Sequence, residues 1–465
     1  MTPHESDANP FLQGNFGPWR TEGFVDDLEV VGEIPRDLNG TYYRSGPNPA
    51  FEPPGRYHWF DGDGMIHAIT LRDGRARYGN RYVMSNGLKE ERAAGRALFP
   101  GLLALGPSEV AGYKNTGNTN IVAHAGRLLA LMEAALPTRM EPRTLETLGE
   151  FDFDGRLIGP MTAHPKLDPE TGEMLFFGYS PFPPFLQYHV ADGEGRLVRS
   201  EVIDVAWPSM MHDFAITKDY VVFILCPLVF RFEKLAERGG AFTWEPERGT
   251  RLGVMPRSGG NADVRWFETD PCYVFHPMNA FAEGDEIVLD VARYPRLDMF
   301  MRQRAADDPG YGDENAARLH RWRIDLRRGG VRSTPLDDVV AEFPRVDERL
   351  VGRKHRFGYM AAREVAGDTG GLPVWTAIKK YDLERGTSET RRLGAGNGAG
   401  EPLFVRRREG AAEDDGYVLA LSYDQARDTS EFLILDARDI AGEPAARVRL
   451  PHRVPYGFHG NWVAA

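Results

Sequence analysis

The stretch QYHVADGEGRLVRS (Gln187–Ser200) decides how the chain is read. A short run of aromatic and β-branched residues, an Asp-Gly turn signal and a second run make two strands joined by a tight turn. The same form returns in ITLRDGRARY (69–78), RTLETLGEFDFDG (143–155), HRWRIDLRRGGVRS (320–333), IKKYDLERGTSETRRL (378–393) and FLILDARDIAGEPAARVRL (432–450). A degenerate copy, LVFRFEKLAERGGAFTWEPERG (228–249), makes seven. Spread over 465 residues this gives roughly 60 to 70 residues per unit, long for a four-stranded blade unless the loops on one face are large. The expectation is an all-β chain folded as a single seven-bladed β-propeller over residues 1–465, with a cap of loops and helices.

Composition agrees with this. Gly (51) and Pro (33) are spread along the whole length, as expected where short strands alternate with turns. Helical periodicity is scarce. LKEERAAGRALF (Leu88–Phe99) predicts one helix and RLDMFMRQRAADD (296–308) a weaker one. A 42% hydrophobic content supports a large core. The net charge of −12, with Lys and Arg scattered among acids, argues against a nucleic-acid groove.

Cys226 and Cys272 lie in apolar runs, too few for a disulfide framework or a cysteine zinc site, so buried thiols in a reducing compartment are expected. No basic-then-apolar leader and no apolar run approaching about 20 residues is visible, and a cytoplasmic protein is expected. GAGNGAG (394–400) lacks GxGxxG spacing and a βαβ context, and reads as a loop.

The motifs of several chemistries are missing: GxSxG, HExxH, CxxC and GxxxxGK[ST]. The histidines remain. Four of the twelve stand at apolar strand ends crowded by Gly, Pro, Asn or Met: His164 in MTAHPKLDP, His212 in SMMHDFAI, His276 in CYVFHPMNA and His459 in GFHGNWVA. His4, His58, His67, His124, His189, His320, His355 and His452 have ordinary polar or hairpin contexts.

Any one of the four alone reads as a partly buried imidazole bonded to a backbone carbonyl. Their spacing puts them in four different units, so a ring can aim all four at one axis. Neutral imidazole suits iron, copper or zinc, and iron with open positions activates dioxygen. Glu133 in LLALMEAALP, Glu342 in VVAEFPRVD and Glu401 in GAGEPLFVRR sit where a carboxylate is costly to bury, and a ligating histidine commonly donates its other N–H to such a group.

The sequence resembles the carotenoid cleavage oxygenases, a family that includes stilbene-cleaving dioxygenases and retinoid isomerohydrolases. The resemblance runs through GEIPRDLNGTYYRSGPNP (32–49), YHWFDGDGMIHA (57–68), TAHPKLDPETGEM (162–174), MMHDF (210–214), CYVFHPMNA (272–280), EFPRVDERLVG (342–352), GEPLFVRR (400–407) and PYGFHGNW (455–462), in that order. It implies a seven-bladed propeller and a non-haem Fe(II) held by His164, His212, His276 and His459. It also implies Glu133, Glu342 and Glu401 as partners of three of those histidines, the fourth being oriented by something else such as water. Thr119 matches a position whose side chain lies beside an open coordination site.

The implied activity is cleavage of a carbon–carbon double bond of a carotenoid or apocarotenoid by O2 into two carbonyl products. Stilbene-cleaving relatives carry a lysine before the first of these glutamates and a tyrosine after a helix. Here Met132 precedes Glu133 and LFPGLLALG (98–106) has no tyrosine, which favours a long apolar polyene over a phenolic stilbenoid. SPFPPFLQY (180–188) with Phe99, Leu102, Leu103 and Leu105 is expected to line a tunnel or its mouth. LFPGLLALGP (98–107) is expected to touch a membrane weakly and reversibly. A propeller that only binds a partner, or a metal-free hydrolase on the same scaffold, is the alternative from a different class.

Overall fold

In the computed structural model the hairpin at 187–200 forms as read: Leu186–Ala191 pairs antiparallel with Leu197–Val202, and Gly195 takes φ +79° at the turn. The structure describes residues 9–55, 57–101, 110, 112–234, 241–297, 315–363 and 372–465. Among these, strands dominate. They form four-stranded sheets that begin at Asn120–His124, Lys166–Leu167 and Phe214–Ile216, and a seven-stranded sheet from Tyr273–Glu283 to Thr387–Arg392. The remaining large sheets contain the two ends of the described chain. A seven-bladed propeller is consistent with this division, the seven-stranded sheet supplying two blades that share the long strand Val331–Arg345.

The ends exchange strands. Near the N-terminus, Val30–Gly32 adds to the last sheet beside Ala446–Arg449, while the final strand, Gly460–Ala464, pairs with Gly40–Pro47 of the first. Tyr42 lies opposite Trp462, and buried Arg44 donates to the Pro455 carbonyl at 2.7 Å. The aromatic C-terminal segment is held because it forms the edge strand of the first sheet, paired along Gly40–Arg44. Apolar clusters fill the spaces between neighbouring sheets, as layered β architectures require.

Several expectations are corrected. The first helix covers Asn86–Ala94, capped by the Ser85 hydroxyl and ended by Gly95 at φ +69°, so the expected stretch to Phe99 stops five residues early at a left-handed glycine. The second helix, but for Arg296 and Leu297, lies outside the described residues. The 228–249 hairpin is no blade edge. Leu228–Phe230 and Phe242–Trp244 form a separate two-stranded sheet inserted between Tyr220–Leu225 and Thr250–Pro256. The outer hairpin of that unit is Thr250–Pro256 with Arg265–Thr269, whose strands sequence reading passed over. Within 394–400, Asn397–Ala399 forms a short edge strand and the rest is loop. Both cysteines are buried and free.

Candidate metal centre

Each of the four histidines stands in or just before a strand that opens its sheet or closes the ring. His164 precedes Lys166–Leu167, His212 precedes Phe214–Ile216, His276 lies in Tyr273–Glu283, and His459 precedes Gly460–Ala464. Register shifts on both sides of Pro277 bend the strand at His276, and another between Glu342 and Arg345 bends its partner. Such bulges re-aim side chains. Phe343, at φ +54°, lies within the second and stacks on the His276 ring at 5.4 Å.

The four imidazoles converge, all buried, with their candidate ligand nitrogens within 4.8 Å of one another. His164 Nε2 lies 2.9 Å from His212 Nε2, which lies 3.2 Å from His276 Nε2. Their other ring nitrogens face carboxylates: His212 Nδ1 is 2.6 Å from Glu133, His276 Nδ1 2.6 Å from Glu342, and His459 Nδ1 2.9 Å from Glu401. A carboxylate only accepts, so each of these rings carries its proton on Nδ1 and turns an Nε2 lone pair inward. Facing lone pairs at hydrogen-bond distance repel unless a cation lies among them.

Electrostatics point the same way. Burial, followed by the other three imidazoles, pushes His164 well below the usual imidazole range, and burial lowers His276 against the pull of Glu342. Both are neutral donors near pH 7. Burial opposes the charge of Glu401, but Arg345, His459 and the Gly460 N–H outweigh it and hold the carboxyl at about 2. Four carboxylates surround the cluster: Glu133, Glu342, Glu401 and Asp213. Their ion-paired cations are Lys166 and Arg345. Two negative charges remain, which one divalent ion neutralises in a buried setting where uncompensated charge is expensive. The residues present therefore fit a divalent metal with nitrogen ligands.

The sequence left out four participants. Asp213 Oδ2 lies 3.8 Å from Nδ1 of His164, the ring left without a glutamate, and its Oδ1 accepts from Lys166 at 2.7 Å. Arg345 ties Glu401 (3.3 Å) to the Gly460 carbonyl (3.2 Å) and Asn461 (3.0 Å), binding the closing strand to the site. Tyr179 donates to Glu133 at 2.8 Å, behind His212. Asp213 and Lys166 adjoin the histidine motifs, a signal available in sequence; Tyr179 and Arg345 carry none. Thr119 is half-buried on the cavity wall, its hydroxyl donating to Asn118 at 3.0 Å and its carbonyl accepting from the His459 N–H at 3.2 Å.

The centre opens on a cavity of about 650 Å³, within the roughly 300–1,000 Å³ of sites that enclose a small molecule. Trp59, Phe60, Phe275, Phe343, Trp375 and Phe458 line it, with Phe275 at 5.0 Å from the His212 ring and Phe343 at 5.2 Å from the His459 ring. Met132 lines it beside Glu133. The expected wall holds for Phe99, Ser180, Pro181 and Phe182, whereas Leu186 and Tyr188 pack into the core of their own sheet. Leu102, Leu103 and Leu105 lie outside the described residues. Phe230 and Phe242 of the inserted sheet, with Phe232 just after its first strand, complete the wall.

Residues 16–464 match the family described as Retinal pigment epithelial membrane protein. A carotenoid cleavage oxygenase of Mycobacterium tuberculosis is 39% identical, covering 98% of this chain and 97% of its own. The crystal structure of Pseudomonas brassicacearum lignostilbene dioxygenase superposes with a TM-score of 0.92 at 35% identity, over 98% of this chain and 99% of that one. Cobalt-substituted Synechocystis apocarotenoid oxygenase superposes with a TM-score of 0.86 at 32% identity, over 96% and 97%. With the fold, the centre and the sequence in agreement over nearly its whole length, the chain belongs to the carotenoid cleavage oxygenase family.

Proposed function

We propose that the protein is a non-haem iron(II) dioxygenase that splits a carbon–carbon double bond of a carotenoid or apocarotenoid. One alkene and one O2 give two carbonyl products, so the stoichiometry balances without an external reductant. The observation that carries this reading is the convergence of four inward imidazole nitrogens on the wall of an aromatic cavity. A partner-binding module has no use for four buried histidines so arranged.

His164, His212, His276 and His459 are the iron ligands in this reading. Glu133, Glu342 and Glu401 keep three of the rings in the tautomer that faces the metal. Bound iron supplies the unpaired electrons that let triplet O2 react with a spin-paired alkene. The aromatic walls exclude water and hold the polyene so that one double bond lies at the centre. Thr119 limits the space beside the ligands. The whole of 1–465 acts as one propeller.

A second substrate, a phenolic stilbenoid, draws support from the lignostilbene dioxygenase likeness and from Tyr113 and Lys114 on the cavity wall. Both are already engaged: Lys114 lies 2.7 Å from each of Asp63 and Glu91, and the Tyr113 hydroxyl donates to the Ala134 carbonyl. That keeps the polyene first. Fe(II) reconstitution without air, followed by chromatography of apocarotenal and resveratrol reactions run under 18O2, tests the reading. Label in both carbonyl products and a higher kcat/KM for the apocarotenal are expected. Faster stilbene turnover reverses the order, and inactivity towards every polyene and stilbene overturns the function.

No helix among the described residues is long and apolar enough to cross a membrane. In our reading the protein works in the cytoplasm and takes substrate from a membrane surface. Phe182, 64% exposed and stacked on Phe232 at 5.4 Å beside the cavity, is the contact. The expected patch at 98–107 lies mostly outside the described residues.

A further inference from the structure

We propose that the Asp213–Lys166 ion pair is the positioning device for His164, the one ligand without a glutamate. The inference rests on the four-histidine metal reading above. Its basis is the way the two oxygens of one buried carboxylate are divided.

Asp213 Oδ1 is occupied twice, by Lys166 Nζ at 2.7 Å and by the Phe214 N–H at 2.6 Å. These two contacts fix the carboxylate plane and leave Oδ2 turned to His164 Nδ1 at 3.8 Å. Asp213 is 3% exposed and His164 6%, so neither has bulk water as an alternative partner. At 3.8 Å the pair is beyond direct hydrogen bonding, and a slight ring tilt or one bridging water closes it. Either way the acceptor favours the proton on Nδ1 and the lone pair on Nε2, the tautomer that the other three rings already hold. The His164 backbone N–H is bonded separately, to the Thr162 hydroxyl at 3.1 Å, so the main chain and the ring are fixed by different groups.

Lys166 gives the arrangement its second property. A fourth lone carboxylate would add a third uncompensated negative charge to a centre that one divalent ion neutralises. Paired with Lys166, Asp213 orients a ring at no net charge. It is also a weaker acceptor than Glu133 or Glu342, because it shares its electrons with an ammonium. His164 is therefore the most loosely held of the four rings.

The experiment measures Co(II) affinity by chelator competition, and the visible Co(II) absorption bands, on apo full-length protein and on Asp213→Asn, Lys166→Met and the double variant. Folding is followed separately by circular dichroism and thermal midpoint. Asp213→Asn is expected to weaken Co(II) binding roughly 10 to 100-fold and to alter the bands, as loss of an outer partner of a ligating histidine does. Lys166→Met should bind Co(II) at least as tightly as wild type while its apo form melts lower, since the site becomes more negative. The double variant leaves no buried charge unpaired and should fold yet bind as weakly as Asp213→Asn, so it decides the matter if the single variant fails to fold. Wild-type affinity and bands in Asp213→Asn or the double variant would make the pair a fold element only and overturn the inference. Absence of Co(II) binding by wild type would instead sink the four-histidine reading itself.

Discussion

Replacing Glu401 by Gln is the substitution whose cost the structure fixes best. The side chain is 3% exposed and makes three contacts: His459 Nδ1 at 2.9 Å, the Gly460 N–H at 2.9 Å and Arg345 at 3.3 Å. Glutamine retains an acceptor for His459, but its NH2 then meets the Gly460 N–H and the Arg345 guanidinium, donor against donors. Removing one partner of a buried ion pair costs about 3–5 kcal/mol. The depressed carboxyl gives a second figure from the same contacts. A carboxyl held at about 2 when folded, against an ordinary value near 4.5, contributes roughly 3 kcal/mol at neutral pH.

The sign follows from the depressed folded value. The contribution is complete above the unfolded pKa and is lost as pH falls from about 4.5 towards 2, because the unfolded chain takes up the proton first. Urea unfolding of metal-free wild type and Glu401→Gln should therefore differ by about 3 kcal/mol at pH 7, with the gap narrowing below pH 4.5. Using the difference between two proteins cancels the other groups that titrate there. A gap below about 1 kcal/mol, or one that stays constant down to pH 3, would refute the proposed electrostatic role of Glu401.

Three further outcomes are expected. Ala at His164, His212, His276 or His459 should each abolish most bound iron per folded monomer, measured by elemental analysis, whereas His189→Ala and His452→Ala should keep it. The controls' rings bond to Ser200 (2.9 Å) and stack on Trp19 (4.2 Å), so their losses should be in melting temperature alone. Tyr179→Phe removes a hydrogen bond to the Glu133 carboxylate, worth about 2 kcal/mol, and should lower the melting temperature while leaving Co(II) affinity in the chelator assay at or above the wild-type level, as for Lys166→Met. Ser at both Phe182 and Phe232 should reduce flotation with liposomes; unchanged flotation would place the membrane contact elsewhere.

The parts legible in sequence were those whose physics is local. Asp-Gly and Gly-Gly turns announce hairpins, and four histidines at Gly- and Pro-rich strand ends announced the centre. What escaped was set by tertiary contact. The run at 228–249 has the composition of a blade edge, yet its aromatic residues serve the cavity wall, and apolar content alone does not say which apolar surface a residue faces. Arg345 was invisible for a related reason. Its partners lie 56, 115 and 116 residues away, and no spacing rule links them. Asp213 was available, next to His212, but the side on which a residue beside a bend points is fixed by the bend.

The exchange of strands between the two ends has a consequence for how the protein is born. His459 and its strand are made about 400 residues after Gly40–Pro47, the strand they pair with, and after the other three histidines. Until His459 and the strand after it emerge, the nascent chain holds at most three of its four imidazoles and an unclosed first sheet. A product truncated before His459 would lack a ligand and the strand that closes the first sheet. Metal loading in the cell thus reports that synthesis has passed His459.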